Sequence, residues 1–394
     1  MIKIKDKNNC CGCTACVSIC SHDAISMQPD ALGFLYPFVD EKKCVDCGLC
    51  EKVCAFKSDY DISNNLSTPI VYGARHKDID EVMKSRSGAA FVAISDYVLE
   101  HGGVVYGVGY KEHFKVSHKR AITKEQRDEF RGSKYVQSDL SEVFQEIRKD
   151  LCSGLYVLFS GTPCQTAGLN AYIGKKLREK LLLVDIVCHG VPSPYIWRDY
   201  LSFIEQKRNG LVKEVDFRNK SIGGWADQID TYVFEKEQEV DNTLTFATIF
   251  DSEITLRKSC FHCKYTNIKR PSDITLADFW GWEKVNPEAN IDNKGLSLIL
   301  CNTPKGLDIF KNVKHNMYFF EVFTKDYMQS RLKSPTIPHP LRDEFEKYYA
   351  EYGFEKAMKR FALMGWRKNY NEFIEKQLRR IKKYTRKIFH IYIQ

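Results

Sequence analysis

The chain has 394 residues, 43% of them hydrophobic, enough to bury a core and to divide into two or three units. It carries 15 cysteines and a net charge of +8, and its start, Met1 to Asn9, is short and polar. This pattern argues against a signal peptide and a disulfide-stapled secreted fold, and for metal sites in a reducing cytosol; no stretch approaches the roughly 18 uninterrupted apolar residues of a membrane span.

The first element is a repeat. Residues 10–20 read CCGCTACVSIC and residues 44–54 read CVDCGLCEKVC, so Cys10, Cys13, Cys16 and Cys20 form C-x2-C-x2-C-x3-C and Cys44, Cys47, Cys50 and Cys54 repeat it. At this spacing three thiolates wrap one 4Fe–4S cubane and the fourth goes to its neighbour. Cluster one is then assigned Cys10, Cys13, Cys16 and Cys54, and cluster two Cys44, Cys47, Cys50 and Cys20. A zinc-binding pair is the alternative, because zinc also takes four thiolates, with looser spacing. Ser21 and Ala55 stand where such runs usually carry Pro after the fourth cysteine, which bears on turn stiffness and not on ligation. Cys11 is surplus and reads as a small packed residue. Residues 1–60 are therefore expected to be an α+β ferredoxin-like two-cluster module. The polar, turn-rich run Lys57 to Thr68 reads as the linker that leaves it.

Residues 69–317 alternate strand-like runs (IVYGAR, GVVYGVGY, LYVLFS, KLLLVDIV) with segments of helical periodicity (GAAFVAISDYVLEHG, SDLSEVFQEIRKDL, SPYIWRDYLSFIEQ). This alternation predicts an α/β domain with a largely parallel sheet. Cys164 follows the strand LYVLFS, and Cys188 follows LLLVDIV, so both fall beyond carboxyl ends of parallel strands, where open α/β sheets collect ligands. RKSCFHCKY adds Cys260 and Cys263 as a C-x2-C pair. Four thiolates suffice for a third 4Fe–4S cluster at Cys164, Cys188, Cys260 and Cys263; a redox-active dithiol, a zinc site and no shared site are the alternatives. The TPCQ turn also looks like the Pro-Cys-Gln loop of cytosine-C5 DNA methyltransferases, but the Glu-Asn-Val segment of that chemistry is missing, and such an enzyme has no use for eight ferredoxin cysteines.

Two short segments suit phosphate. Ser85, Arg86, Ser87 and Gly88, in SRSGAAF, offer hydroxyls, a guanidinium and a glycine at a helix start. Arg131, Gly132, Ser133, Lys134 and Tyr135, in FRGSKY, offer two cations, a close-approach glycine and a ring. Both read equally well as ordinary polar turns.

Taken together and in order, SRSGAAF, RGSKYVQSDL, VLFSGTPCQTAGL, VDIVCHGVPSPYIWRDYL, RKSCFHCKY and RPSDITLADFWG resemble the coenzyme F420 hydrogenase/dehydrogenase beta-subunit family, from about Val71 to Leu300. The resemblance implies an iron–sulfur flavoprotein that passes electrons between clusters and FAD, with ferredoxin or another redox protein as partner. It makes Ser85 to Gly88 and Ser133 to Tyr135 flavin contacts. It assigns Arg270, Asp273, Asp278 and Trp280 to the flavin, the substrate or the cluster loop, and gives His189 a proton or a sulfur hydrogen bond. No catalytic residue is singled out, and the small-molecule or lipid-linked substrate is not legible. The function expected is a redox enzyme acting on a two-electron substrate. The alternative is an electron-transfer subunit of a larger hydrogenase, dehydrogenase or polysaccharide-biosynthesis complex.

Residues 318–394 read as a helical extension. Between Arg367 and Gln394 nine Lys/Arg face two Glu, and Ile374, Leu378, Ile381, Tyr384, Ile388 and Ile391 share one helical face. Three readings stay open for this basic helix: packing on the domain, contact with an acidic partner, and peripheral contact with the inner face of the membrane. Nucleic-acid binding is not expected, because the aromatics sit on the apolar face.

Overall fold

The computed structural model describes residues 1–57, 59–235 and 240–364; the basic run Arg367 to Gln394 lies outside them. The strands are β1 (Ile25–Pro29), β2 (Leu35–Val39), β3 (Ile70–His76), β4 (Val104–Lys111), β5 (Lys115–Ala121), β6 (Val157–Gly161), β7 (Leu181–Ile186), β8 (Val212–Asp216), β9 (Asp230–Phe234), β10 (Val240–Thr243), β11 (Ile274–Asp278), β12 (Ser297–Cys301) and β13 (Met317–Glu321).

The N-terminal unit is ferredoxin-like: the antiparallel hairpin β1–β2 and two one-turn helices, Ala15–Ser18 and Leu49–Lys52. Each helix follows a left-handed cap, Thr14 at φ 63° and Gly48 at φ 73°. Gly12 and Asp46, two residues earlier in each repeat, are left-handed as well, at φ 71° and 49°. The sequence repeat is thus a backbone repeat. Such alternating conformations turn successive N–H groups inward into an anion-accepting nest, a form common at iron–sulfur sites.

The second unit is built on an eight-stranded sheet of order β13-β3-β12-β11-β7-β6-β4-β5. The expected parallel sheet is its centre, where β11, β7, β6 and β4 run parallel. Antiparallel pairs flank it on both sides, so the whole is mixed. Strict alternation divides the central strands between two cores. Val105, Leu158, Leu182 and Val184 meet the helices Ala90–Glu100 and Pro304–Val313 on one face. Val104, Tyr106, Val157, Phe159, Leu181 and Leu183 meet the helices Val143–Cys152 and Pro163–Leu177 on the other. Leu181 to Val184 are all fully buried. At about 1.5–3 kcal/mol per aliphatic side chain this stretch outweighs any surface ion pair.

A three-stranded antiparallel sheet, β10-β9-β8, packs with the helices Pro194–Arg208, Thr245–Asp251 and Arg342–Arg360 around Trp197, Tyr200, Tyr232 and Phe246. The boundary expected at 317/318 falls inside β13, which closes the main sheet against β3; the α/β domain therefore runs past it. The expected linker is tied down rather than loose. Tyr60 Oη donates to Lys269 O (2.7 Å), Asn65 Nδ2 to Arg270 O (2.9 Å) and Leu66 N to Asn302 O (2.7 Å). Among the described residues no helix is long and apolar enough to cross a membrane.

Candidate electron-transfer site

The first quartet sits where the N-terminal unit meets the sheet. Cys10, Cys13, Cys16 and Cys54 together line one small apolar cavity, with Ile2, Ile4, Met27, Pro37 and Phe56 as its walls. Burial raises the Cys16 thiol well above its usual range, and the charges of Cys13, Cys10 and Cys54 raise it further. Burial also raises Cys10, where Cys13 and Cys54 act in the same direction, and Cys54, where Cys13 does. All six pairings within the quartet are therefore felt. Four buried, mutually repelling sulfurs with no nitrogen or oxygen donor among them suit a soft, cationic occupant, and they match the crossed assignment in which Cys54 joins the first motif.

The second motif lies nearer the surface: Cys50 is buried, Cys20 and Cys44 are half-buried, and Cys47 is exposed. Cys50 and Cys20 pack into one cluster with Ile2 and Ile25, and Ile2 N donates to Cys50 Sγ (3.2 Å). An N–H aimed at sulfur is the hydrogen bond that tunes a thiolate-held cluster.

Within the α/β domain, Cys164 stands in the first turn of Pro163–Leu177, whose start is fixed by a Thr162/Gln165 capping box and by Pro163. Cys188 follows β7, Cys260 lies within a short 3-10 turn, Lys258–His262, and Cys263 caps its end. These four residues, far apart in sequence, form a second closed set. Burial raises Cys188 well above its range, and the charges of Cys260, Cys164 and Cys263 add to it. Cys260 is pushed up to about 12 by burial, then by Cys263 and Cys164; Cys263 is pushed up to about 11 by burial, then by Cys164. Among the described residues no His, Cys, Asp and Glu group is arranged to hold a metal ion at one point. A cubane makes no such demand, since each thiolate binds its own corner iron.

Cys11 joins the two quartets. Its buried thiol is raised well above its usual range by the neighbouring Cys13 and Cys164, and both of these are lowered by it, Cys164 to about 7. The close approach requires Gly168, where a Cβ would stand 2.6 Å from Cys13 Sγ. Tyr265, fully buried, donates to Ala55 O (2.9 Å) and packs on Tyr60 and Phe56 along the same seam.

From Cys188 aromatic contacts lead onward. His189 lies 5.2 Å from Phe250, and Phe250 lies 5.1 Å from Tyr135. His189 Nε2 pairs with Glu253 Oε1 (2.7 Å), so that nitrogen faces a carboxylate. Tyr135 Oη accepts from Arg218 Nη1 (3.0 Å), which also pairs with Asp278 Oδ2 (2.7 Å). Trp225 Nε1 donates to Asp278 Oδ1 (2.9 Å) and its ring stacks on Trp280 at 4.2 Å.

The two phosphate-type segments meet here. Arg86 lies over Gly132, 3.3 Å from where a Cβ would be, and pairs with Asp216 (2.8 Å). Buried Ser85 Oγ, Arg86 Nε and Arg131 Nε have no hydrogen-bond partner. Other groups in the two segments serve the fold. Ser87 Oγ donates to Leu296 O, and Gly88 N donates to Ser297 Oγ. Arg131 pairs with Glu81 and Asp128, Lys134 Nζ donates to the carbonyls of Glu129, Arg131 and Gly132, and Ser133 is exposed. Cations crowd the spot. Lys134 is pushed down to about 7 by desolvation and then by Arg86, against the attraction of Glu129; Lys220 falls to about 7 by desolvation and then by Arg86. Arg218 and Lys220 carry no mark in the sequence, because FRNKSIGGW reads as a polar loop until the fold brings it to β11.

Of the residues assigned to the flavin, the substrate or the cluster loop, Arg270 takes the last of these places and Asp273 none. Arg270 is buried against Asp185 (3.1 Å) and bonds Ile186 O and Tyr265 O, which braces the Cys188 and Cys263 loops. Asp273 pairs with Arg178 (2.8 Å) on the far end of the sheet.

This fold and its thiol sets define an iron–sulfur electron-transfer protein. Residues 155–323 match the family described as the C terminus of the coenzyme F420 hydrogenase/dehydrogenase beta subunit, and residues 9–58 match the 4Fe-4S dicluster domain. Among solved structures the chain is similar to one in the xenon-derivatised F420-reducing [NiFe] hydrogenase complex from Methanosarcina barkeri. Identity is 19% and the TM-score 0.46, over 75% of this chain and 91% of that one. No curated protein matches the chain.

Proposed function

We propose that the chain carries electrons between a redox partner at the N-terminal unit and FAD at the cation-lined pocket, where a two-electron substrate is reduced or oxidised. One observation supports this most. Within each of the quartets Cys10/Cys13/Cys16/Cys54 and Cys164/Cys188/Cys260/Cys263 the thiols act on one another, and Cys164 acts in turn on Cys11 and Cys13. The exposure of Cys47 supports a partner-facing end of the series there. When bound, the clusters exchange single electrons and FAD exchanges two, which makes the pair a converter between the two kinds of traffic.

The chain's own residues supply position and charge. The orphaned Ser85 Oγ, Arg86 Nε and Arg131 Nε, together with the open approach over Gly132, suit a pyrophosphate. Trp280, exposed and stacked on buried Trp225, offers a ring face beside these groups, and Arg218 locks Tyr135 to Asp278.

The second reading, an electron-transfer subunit with no substrate of its own, fits at least as well. It is favoured by the match to a beta-subunit family and by exposed aromatics on and just after the edge strand β13, Tyr318 at 66% and Phe323 at 86%. Anaerobic assay of the reduced chain against F420, nicotinamides and nucleotide sugars separates the two. Turnover by the isolated chain supports the first reading; bound FAD without turnover supports the second.

Anaerobic FAD titration tests the pocket. Arg86→Ala should weaken binding about tenfold or more, since an arginine–phosphate contact is worth over about 1.4 kcal/mol. The pH response has a definite sign. Lys134 and Lys220 gain charge as pH falls through about 7, while Asp230, raised to about 7 mainly by burial, loses its charge over the same window. All three changes make the pocket more positive, so FAD should bind more tightly at pH 6 than at pH 8. Full iron with no bindable FAD would contradict the flavin assignment.

A further inference from the structure

Arg257 is only 1% exposed, yet no carboxylate pairs with it among the described residues. Its Nε donates to Cys10 O (2.9 Å), Nη1 to Gln137 Oε1 (2.9 Å) and Nη2 to Leu35 O (2.9 Å), all neutral oxygens. The remaining contact is sulfur: Nη2 lies 3.8 Å from Cys10 Sγ. A buried guanidinium without a counter-ion is costly, and proteins rarely keep one unpaired. Apart from the faces of Tyr36 and Phe34, the group of opposite charge it can face is the Cys10 sulfur when that is ionised.

Its placement reaches both quartets. Arg257 precedes Cys260 by three residues, and Cys260 N donates to Arg257 O (2.9 Å), so the segment that carries the guanidinium also carries a ligand of the second quartet. Its guanidinium thus lies against Cys10 of one quartet while its own carbonyl holds the Cys260 turn of the other. The rings of Tyr36 and Phe34 cover it at 4.2 and 5.4 Å and keep water away. Gly12 makes room for it; a Cβ there would stand 2.9 Å from Nη1.

We propose that Arg257 is the shared counter-charge of the two cysteine quartets, a positioning residue that raises both reduction potentials together. The inference rests on the reading of the quartets as 4Fe–4S ligands. Each one-electron reduction adds one negative charge beside a guanidinium that stays protonated throughout, so the reduced state gains more from Arg257 than the oxidised state does. Charge and hydrogen bonds at the sulfurs are among the factors that set such potentials. Because one cation serves both sites, its removal should lower both potentials in the same direction.

The test is an EPR-monitored redox titration with dithionite on the anaerobic full chain, comparing wild type, Arg257→Gln and Arg257→Lys, with iron measured in each. Arg257→Gln should shift the reduced-to-oxidised ratio of both clusters about tenfold toward oxidised, a fall of about 59 mV for one electron. Arg257→Lys, which keeps the charge but loses the fork, should stay near wild type. Loss of iron in the Gln variant, with iron and potential kept in the Lys variant, supports the same role. An unshifted Gln variant that retains its iron overturns the proposal. Equal shifts in both variants, or equal iron loss in both, overturn it too, since shape and not charge would then be at stake. A wild type without reduced-cluster signals would instead defeat the underlying ligand assignment.

Discussion

Cys260→Ala should remove about four of about twelve iron atoms per chain and leave about eight in place. Cys260 pairs electrostatically with Cys263, Cys164 and Cys188, and none of these comes from the N-terminal unit. Three thiolates on separate elements, the first turn of Pro163–Leu177, the end of β7 and the C-x2-C turn, hold a cubane less firmly than four. The two ferredoxin-type clusters draw their ligands from residues 10–54 and should keep their spectra. Electron flow should nevertheless stop short of the pocket, because the aromatic path through His189, Phe250 and Tyr135 begins at Cys188. Quantitative iron and sulfide analysis checks the first point, and reduction of added FAD by the dithionite-reduced chain checks the second. A variant that keeps all its iron removes the third cluster from the account.

Cys54→Ala should have an effect of equal size at the other quartet and should reveal the crossed ligation. Cys54 ends the second motif in sequence, but it shares a cavity with Cys10, Cys13 and Cys16. The cluster lost should therefore be the one against the α/β domain, while Cys44, Cys47, Cys50 and Cys20 keep theirs. Double variants make this decisive, since changes at one shared site do not add and changes at independent sites do. Cys10→Ala combined with Cys54→Ala should lose no more iron than either alone, about four atoms. Cys44→Ala combined with Cys54→Ala should lose about eight. The reverse pattern would assign Cys54 to its own motif.

The N-terminal dicluster domain was legible because three of each four cysteines lie within one short C-x2-C-x2-C run, and the repeat itself implies the exchange of the fourth. Strands β4, β6 and β7 were legible because each is a short apolar run with both faces buried. Cys164, Cys188 and the Cys260/Cys263 pair could be proposed together from the positions of two of them at strand ends, although the contact joins residues almost a hundred positions apart. What escaped lies in long-range partners. Arg257 reads as one more basic residue before a cysteine pair until Cys10 and Gln137 come to face it. β13 reads as part of the tail because MYFFE is short and its partner β3 lies more than two hundred residues earlier. Ser87, Gly88 and Lys134 have the chemistry of phosphate ligands, yet spend it on neighbouring backbone and on Ser297. Composition cannot tell a donor that is used from one that is free.

The claim on which the rest depends is that the two quartets form one contiguous conductor, separated only by Cys11. EPR of the dithionite-reduced, oxygen-free full chain, read beside its iron content, tests it most directly. About twelve irons with signals broadened and split by neighbouring paramagnets are expected. About eight irons with sharp, independent signals, or zinc in place of iron, would contradict it.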